Sequence, residues 1–220
     1  MVSRMHGMIS MFNAIIVAGC LLLFLLINLD NLMRYHKFRS TASGKPEVEK
    51  EIAFPLLLVG VGTIGFFLES FVYVILGYSI HAVTFLSYGF GIVDSSPLES
   101  VGLFVMVLGY AIFIWSVIAR GPYATSWQMP VNHKFVDWGP YRYVRHPSYL
   151  GYFLMFTGFI LLWHALIALV ALVAIPGYVL ITRREEEMLV AMFGRQYTQY
   201  QKNVGRFFPK MRRHKLGSES

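Results

Sequence analysis

The chain has 220 residues, 56% of them hydrophobic and 14% charged, with a mean hydropathy of +0.54. Soluble domains carry about a quarter charged residues, so this composition excludes an ordinary soluble globule and points to a membrane-embedded protein. The net charge of +7 does not argue for nucleic acid, because Lys and Arg gather in the loops and tail of an apolar chain, where anionic lipid headgroups are the simpler partner.

The first apolar run, 9–29, is long and continues into Asp30, Asn31 and Arg34. It lacks the short core and small-residue cleavage site of a signal peptide, and reads as a retained first span. The single cysteine, Cys20, lies in its middle, which leaves no partner for an intrachain disulfide and makes a thiolate metal site implausible; no metal is expected. A small buried hydrophobe is its ordinary role.

Runs 54–76 and 101–119 also reach the roughly 20 residues that a bilayer core requires. Within the second, Gly60-Val61-Gly62-Thr63-Ile64-Gly65 matches the dinucleotide-binding pattern letter for letter. That fingerprint works only between a strand and a helix N-terminus, so in a span it reads as small residues for close helix packing. Glu69 in the same span must be protonated, paired or turned to a polar cavity. It is either a site residue or a structural partner of Ser70 or Tyr73. The loop 77–100 contains no Lys or Arg and carries Phe85, Tyr88 and Phe90, as suits an interfacial or re-entrant segment.

The stretch 149–182 is apolar but interrupted at Trp163 and His164, which predicts two short, tilted spans in a tight hairpin, the second open to a kink at Pro176-Gly177. After it, 185–203 reads as a charged amphipathic helix lying along the membrane or capping a site. The expected fold is therefore all-α and polytopic, with about five transmembrane helices plus a C-terminal amphipathic helix. Charge placement tests that count, because short cytoplasmic loops collect Lys and Arg. With the N-terminus outside, eighteen of the nineteen basic residues fall on the cytoplasmic side, leaving only Arg4 outside. The expected organisation is a three-span region (1–119), a core of loop, hairpin and C-terminal helix (120–209), and a basic, polar and disordered tail (210–220).

Two clusters stand out from this frame. From His133 to Gly151 the chain reads His-Lys-Phe-Val-Asp-Trp-Gly-Pro-Tyr-Arg-Tyr-Val-Arg-His-Pro-Ser-Tyr-Leu-Gly. Gly139-Pro140 marks a turn, and Pro147 biases His146 toward an extended conformation. Tyr141, Arg145, His146 and Tyr149 can then converge at the bilayer edge; an interfacial belt of Tyr, Trp and Arg is the plainer alternative. The second cluster, Arg183-Arg184-Glu185-Glu186-Glu187, sets Arg183 on one helix face with Glu186 and Glu187.

In order, the chain carries His133-Lys134-Phe135-Val136, Gly139-Pro140-Tyr141, Arg145-His146-Pro147-Ser148-Tyr149, Glu185-Glu186-Glu187, Phe193-Gly194, Tyr197-Thr198-Gln199-Tyr200 and Gly205-Arg206-Phe207-Phe208-Pro209. Over 128–209 this resembles the isoprenylcysteine carboxyl methyltransferase family and its phospholipid N-methyltransferase relatives, with Phe135 where the family usually has Leu. The resemblance implies a multi-pass membrane enzyme that binds S-adenosylmethionine without a Rossmann sheet, in a pocket open to the cytosol. It implies that Gln128, His133, Phe135, Val136, Tyr141, His146, Pro147, Ser148, Tyr149, Glu186 and Glu187 line the cofactor site. Arg183 and Glu187 become the catalytic candidates, Arg183 because it resembles the family's substrate-side arginine, with the register of the glutamate run left open by one residue. The implied partners are membrane lipids and a lipophilic or small methyl acceptor, whether carboxylate, amine or thiol. Alternatives are a phospholipid N-methyltransferase, a thiol S-methyltransferase, or a sterol-reductase-like enzyme that uses NADPH.

Overall fold

The structure is a computed structural model that describes residues 11–39, 50–78, 96–121 and 135–210. Within them the chain forms α1 (Met11–Arg39), α2 (Lys50–Tyr78), α3 (Ser96–Arg120), α4 (Pro147–Trp163), α5 (Ala174–Phe193) and α6 (Arg195–Asn203). Short 3-10 segments at Gly139–Arg142 and Leu166–Val173 precede α4 and α5. Among the described residues there is no sheet, only one isolated parallel bridge between Val144 and Gly205. Met11–Met33, Ile52–Leu76, Pro97–Arg120 and Leu166–Phe193 are each long and apolar enough to cross a membrane, and Pro147–Trp163 is a shorter apolar helix. The described residues are thus nearly all helical, and the protein is a polytopic membrane protein with four to five candidate spans. Of the loop 77–100, predicted to be interfacial, residues 77–78 and 96–100 belong to α2 and α3 and 79–95 lie outside the described residues, as does all of the tail 210–220 beyond Lys210.

The hairpin forms where the sequence places it. His164 caps α4 in the left-handed region, with φ of 52°, and the chain reverses there. Its two arms are unequal, however. The second does not stop at Thr182: it runs from Leu166 to Phe193, so the glutamate run lies within it, not in a separate helix from Glu185 to Asn203. The reason is burial. Glu185 and Glu186 turn inward to partners described below, so the helix continues until Gly194, whose φ of 52° ends it. A carbon branch at that dihedral is disfavoured, and glycine is the residue that takes it without strain. Pro176 stands in the first turn of α5, where a missing N–H costs least.

Packing between helices relies on glycine. A Cβ on Gly158 of α4 would fall 2.4 Å from Met106 N and 2.6 Å from Gly102 O of α3, and one on Gly151 would lie 2.9 Å from Gly109 O. The two helices each carry a seven-residue glycine spacing on the facing side, and their backbones touch. Such close approach gives dispersion contact that bulkier residues would block in a membrane, where no hydrophobic drive favours helix association. The same physics accounts for the false dinucleotide motif: Gly62 abuts the backbone of Ala174 in α5, Gly65 meets Val170, and Gly60 faces open space. Around these seams, Phe66, Phe156, Phe159, Met106 and Met155 are fully buried.

Candidate active site

α3, α4 and α5 bring Arg120, Pro147 and Glu185 to the same end of the bundle, where an extended segment before α4 pairs with an extended segment after α6. His146, held out of helix by Pro147, has φ of −125°, as the steric effect of a following proline requires. Its N–H donates to Arg206 O at 3.0 Å, and Arg145 N–H donates to Gly205 O at 2.8 Å. The Tyr200 hydroxyl fastens the other side, donating to Tyr141 O at 2.6 Å.

This clamp surrounds Glu186, whose residue is only 4% exposed. Oε1 accepts from Arg145 Nε at 2.8 Å and lies 3.1 Å from His146 Nε2. Oε2 accepts from Arg206 Nη2 at 2.7 Å and from Gln201 Nε2 at 3.4 Å. Arg145 extends the network by donating through Nη1 to Gln201 O and Val204 O. A buried carboxylate with two guanidiniums and an imidazole is fully compensated, as a charge at this depth must be.

Glu185, one residue earlier, is also buried but less completely satisfied. Tyr149 OH donates to its Oε1 at 2.7 Å, and His146 Nδ1 stands 3.5 Å from its Oε2. His146 is thus inserted between two carboxylates, its ring stacked on Tyr149 at 5.7 Å with an interplanar angle of 6°. Burial holds this imidazole below the usual histidine range, aided by Arg145 and Arg206 and opposed by Glu186. In the neutral ring, an Nε2–H that donates to Glu186 leaves Nδ1 as an acceptor facing Glu185, a tautomer assigned from the network. Arg120 at the end of α3 acts electrostatically on Glu185, and its Nε, like that of Arg206, is buried without a hydrogen-bond partner.

Of the residues singled out in the sequence, the structure brings together Tyr141, His146, Pro147, Ser148, Tyr149 and Glu186. Ser148 Oγ is tied to Ser116 Oγ at 2.7 Å. Phe135 and Val136 are partly buried, and the Phe135 ring meets Phe193, Tyr197 and Tyr200 at 5.7, 5.8 and 5.0 Å. Gln128 and His133 lie outside the described residues. Arg183 and Glu187 are not drawn into the cluster. Both are exposed, and Glu187 pairs with Arg184 at 3.3 Å, its side chain 68% exposed. Glu185 and Arg206 stand in the quoted motifs but are not among the site candidates read from them, the glutamate register being open by one residue, and Arg120 carries no sequence signal. The signal for the first was present: Tyr178, Ile181 and Thr182 form a buried stripe whose i+3 and i+4 continuation is Glu185 and Glu186.

The architecture defines a class first: a polytopic helical membrane protein with a charged site built between its hairpin and its C-terminal segment. Within that class, residues 98–196 match the phospholipid methyltransferase family model, so the resemblance carried by the motifs holds across the hairpin and the glutamate run. The chain is 29% identical over 137 residues to protein-S-isoprenylcysteine O-methyltransferase of Tribolium castaneum, covering 57% of this chain and 47% of that protein. It is 40% identical over 88 residues to methanethiol S-methyltransferase of Pseudomonas deceptionensis, covering 39% of this chain and 32% of that one. The chain therefore spans about half the length, or less, of these relatives. Among solved structures, the eukaryotic intramembrane Ras methyltransferase ICMT is similar, with a TM-score of 0.43, 24% identity, and coverage of 74% of this chain and 54% of that one.

Proposed function

We propose that this protein is an integral membrane methyltransferase that takes its methyl group from S-adenosylmethionine and passes it to a lipophilic or small acceptor at the cytoplasmic face. The observation that carries the reading is the joining of the Arg145-His146-Pro147 segment to Glu185 and Glu186 in one buried, charged site at the end of the bundle. The cytoplasmic placement of that end is supported by the excess of Lys and Arg in the segments that the sequence assigns to it, with Arg120, Arg145 and Arg206 gathered at the site.

The donor set fits this cofactor. Glu185 has acceptor capacity to spare for a cationic group, Arg206 and Arg120 each keep a buried N–H unpaired for an anionic one, and the partly exposed rings of Phe135, Phe193 and Tyr200, packed around buried Tyr197, form an aromatic cluster suited to a heteroaromatic ring. Bound there, S-adenosylmethionine supplies an electrophilic methyl on a sulfonium. The chain's own residues supply positioning and electrostatics, which suffice for such a transfer. Glu186 fixes Arg145, His146 and Arg206 relative to one another; the Tyr149 hydroxyl orients Glu185. An acceptor carboxylate would find a guanidinium in Arg120, and a thiol or amine would find a proton acceptor in Glu185 or neutral His146.

Calorimetric titration of detergent-purified protein with S-adenosylhomocysteine, with NADPH in parallel, tests the reading. Saturable binding of the first alone is expected, and binding of NADPH alone would transfer the protein to the reductases. Binding of neither by folded protein would leave a non-catalytic membrane protein.

A further inference from the structure

The protons around His146 can be counted from its contacts. Glu186 accepts from Arg145, Arg206 and Gln201, and an ionised carboxylate can only accept. The proton in its 3.1 Å contact with His146 therefore sits on Nε2. In the neutral ring Nδ1 then carries a lone pair, and it faces Glu185 Oε2 at 3.5 Å. Turning the ring over would set carbon atoms against both carboxylates and lose both contacts.

Glu185 is constrained from its own side. Tyr149 OH donates to Oε1 at 2.7 Å, while the guanidiniums of Arg145 and Arg206 bond to Glu186 instead. Arg120 from α3 and Tyr197 from α6 act on Glu185 through space, and among the described residues no hydrogen bond joins either of them to Oε2. An ionised Glu185 beside a neutral ring would thus set two bare acceptors against each other in a buried site, a repulsive arrangement that leaves both without a partner. One proton between them removes the conflict, at a separation on the outer edge of hydrogen-bond range. The ring is the poorer place for that proton, because burial, with Arg145 and Arg206 adding to it, disfavours the imidazolium despite Glu186.

We propose that Glu185 and His146 hold one proton between them in the resting protein, with Glu185 as its donor, and that a cationic ligand group binding at Glu185 expels it to solvent. The Glu185 side chain keeps 11% of its surface exposed, which gives such a group its approach. The count balances: a neutral carboxyl and a cation become a carboxylate paired with that cation, plus one free proton. Once emptied, the pair can take the proton that a thiol or amine gives up as it is methylated. The shared proton stands independently of the methyltransferase reading; the identity of the cation, the amino group of S-adenosylmethionine, rests on it.

The test has two arms. In the first, infrared spectra of the protein in lipid nanodiscs at neutral pH are expected to show the carbonyl stretch of a protonated carboxylic acid that disappears in Glu185→Gln. The same band shifts in frequency in Tyr149→Phe, which loses the hydrogen bond to Oε1, and stays in place in Glu69→Gln, the control for a second buried carboxyl. Absence of a Glu185-dependent band overturns the proposal. If Glu185→Gln does not fold, Tyr149→Phe decides, and a band that does not move overturns it.

In the second arm S-adenosylhomocysteine, which carries the same amino group, is titrated calorimetrically in phosphate and in Tris, buffers whose heats of ionisation differ. Release of about one proton per ligand is expected in the wild type and none in Glu185→Gln. Binding with the same heat in both buffers overturns the expulsion step. A Glu185-dependent band in folded protein that binds no S-adenosylhomocysteine supports the shared proton and overturns the methyltransferase reading alone.

Discussion

Arg145 Nε donates to Glu186 Oε1 at 2.8 Å across forty-one residues of chain, and the bond joins the segment before α4 to the middle of α5. Removing one partner of a buried charged network leaves the others uncompensated and costs about 3–5 kcal/mol. Glu186→Ala is therefore expected to lower the thermal unfolding midpoint in detergent and to abolish S-adenosylhomocysteine binding, with Glu186→Gln intermediate. An unfolding midpoint like that of the wild type would show that the network contributes little.

The glutamate run divides by face. Glu185 is buried beside His146 and Tyr149, whereas Glu187 is solvated with Arg184. Glu185→Gln is expected to weaken S-adenosylhomocysteine binding at least tenfold, because its spare acceptor capacity is what a cationic cofactor group would use. Glu187→Gln changes stability by no more than about 0.5 kcal/mol, as exposed ion pairs contribute little, and leaves the affinity within twofold. Reversed effects in the two titrations would restore Glu187 to the site.

Much of this was legible from residue order. The spans follow from run length, the hairpin from the break at Trp163-His164, and the extended His146 from Pro147. What was not legible is which way a charged helix turns. Arg183 and Glu187 look as suited to a site as Glu185 and Glu186 when only spacing is known, since i+3 and i+4 relations define faces but not which face is buried. Extending the pattern back to Tyr178, Ile181 and Thr182 separates the two faces, because those residues are buried together with Glu185 and Glu186. Arg206 was harder still: its place beside Glu186 depends on the pairing of Val144 with Gly205, a contact between segments far apart in the chain that no local pattern encodes.

The neutral, buried His146 makes stability depend on pH. Its folded pKa lies below the usual range, while the unfolded chain protonates histidine at about 6.5. Between those values the unfolded state binds more protons, so stability rises with pH. The contribution is complete above about pH 6.5 and is lost as pH falls below that toward the lowered folded value. Unfolding midpoints measured from pH 7.5 down to pH 5 are expected to fall more steeply for wild type than for His146→Gln, which cannot titrate. Parallel curves would place the acid sensitivity elsewhere.

The glycine seam between α3 and α4 predicts a sharp contrast between substitutions that look alike on paper. Gly158→Ala sets a methyl group 2.4 Å from Met106 N and 2.6 Å from Gly102 O, contacts that backbone cannot yield without separating the helices. Gly60→Ala meets nothing within 4 Å and gains the higher helix propensity of alanine, worth up to about 1 kcal/mol. Separating α3 from α4 also pulls Ser116 from Ser148, whose hydroxyls lie 2.7 Å apart beside the charged site. Gly158→Ala is therefore expected to lower both the unfolding midpoint and the affinity for S-adenosylhomocysteine, while Gly60→Ala holds or raises the first and leaves the second alone. Equal midpoints for the two variants would mean that the helices meet less closely than their glycines indicate, and the packing that carries the site would need another basis.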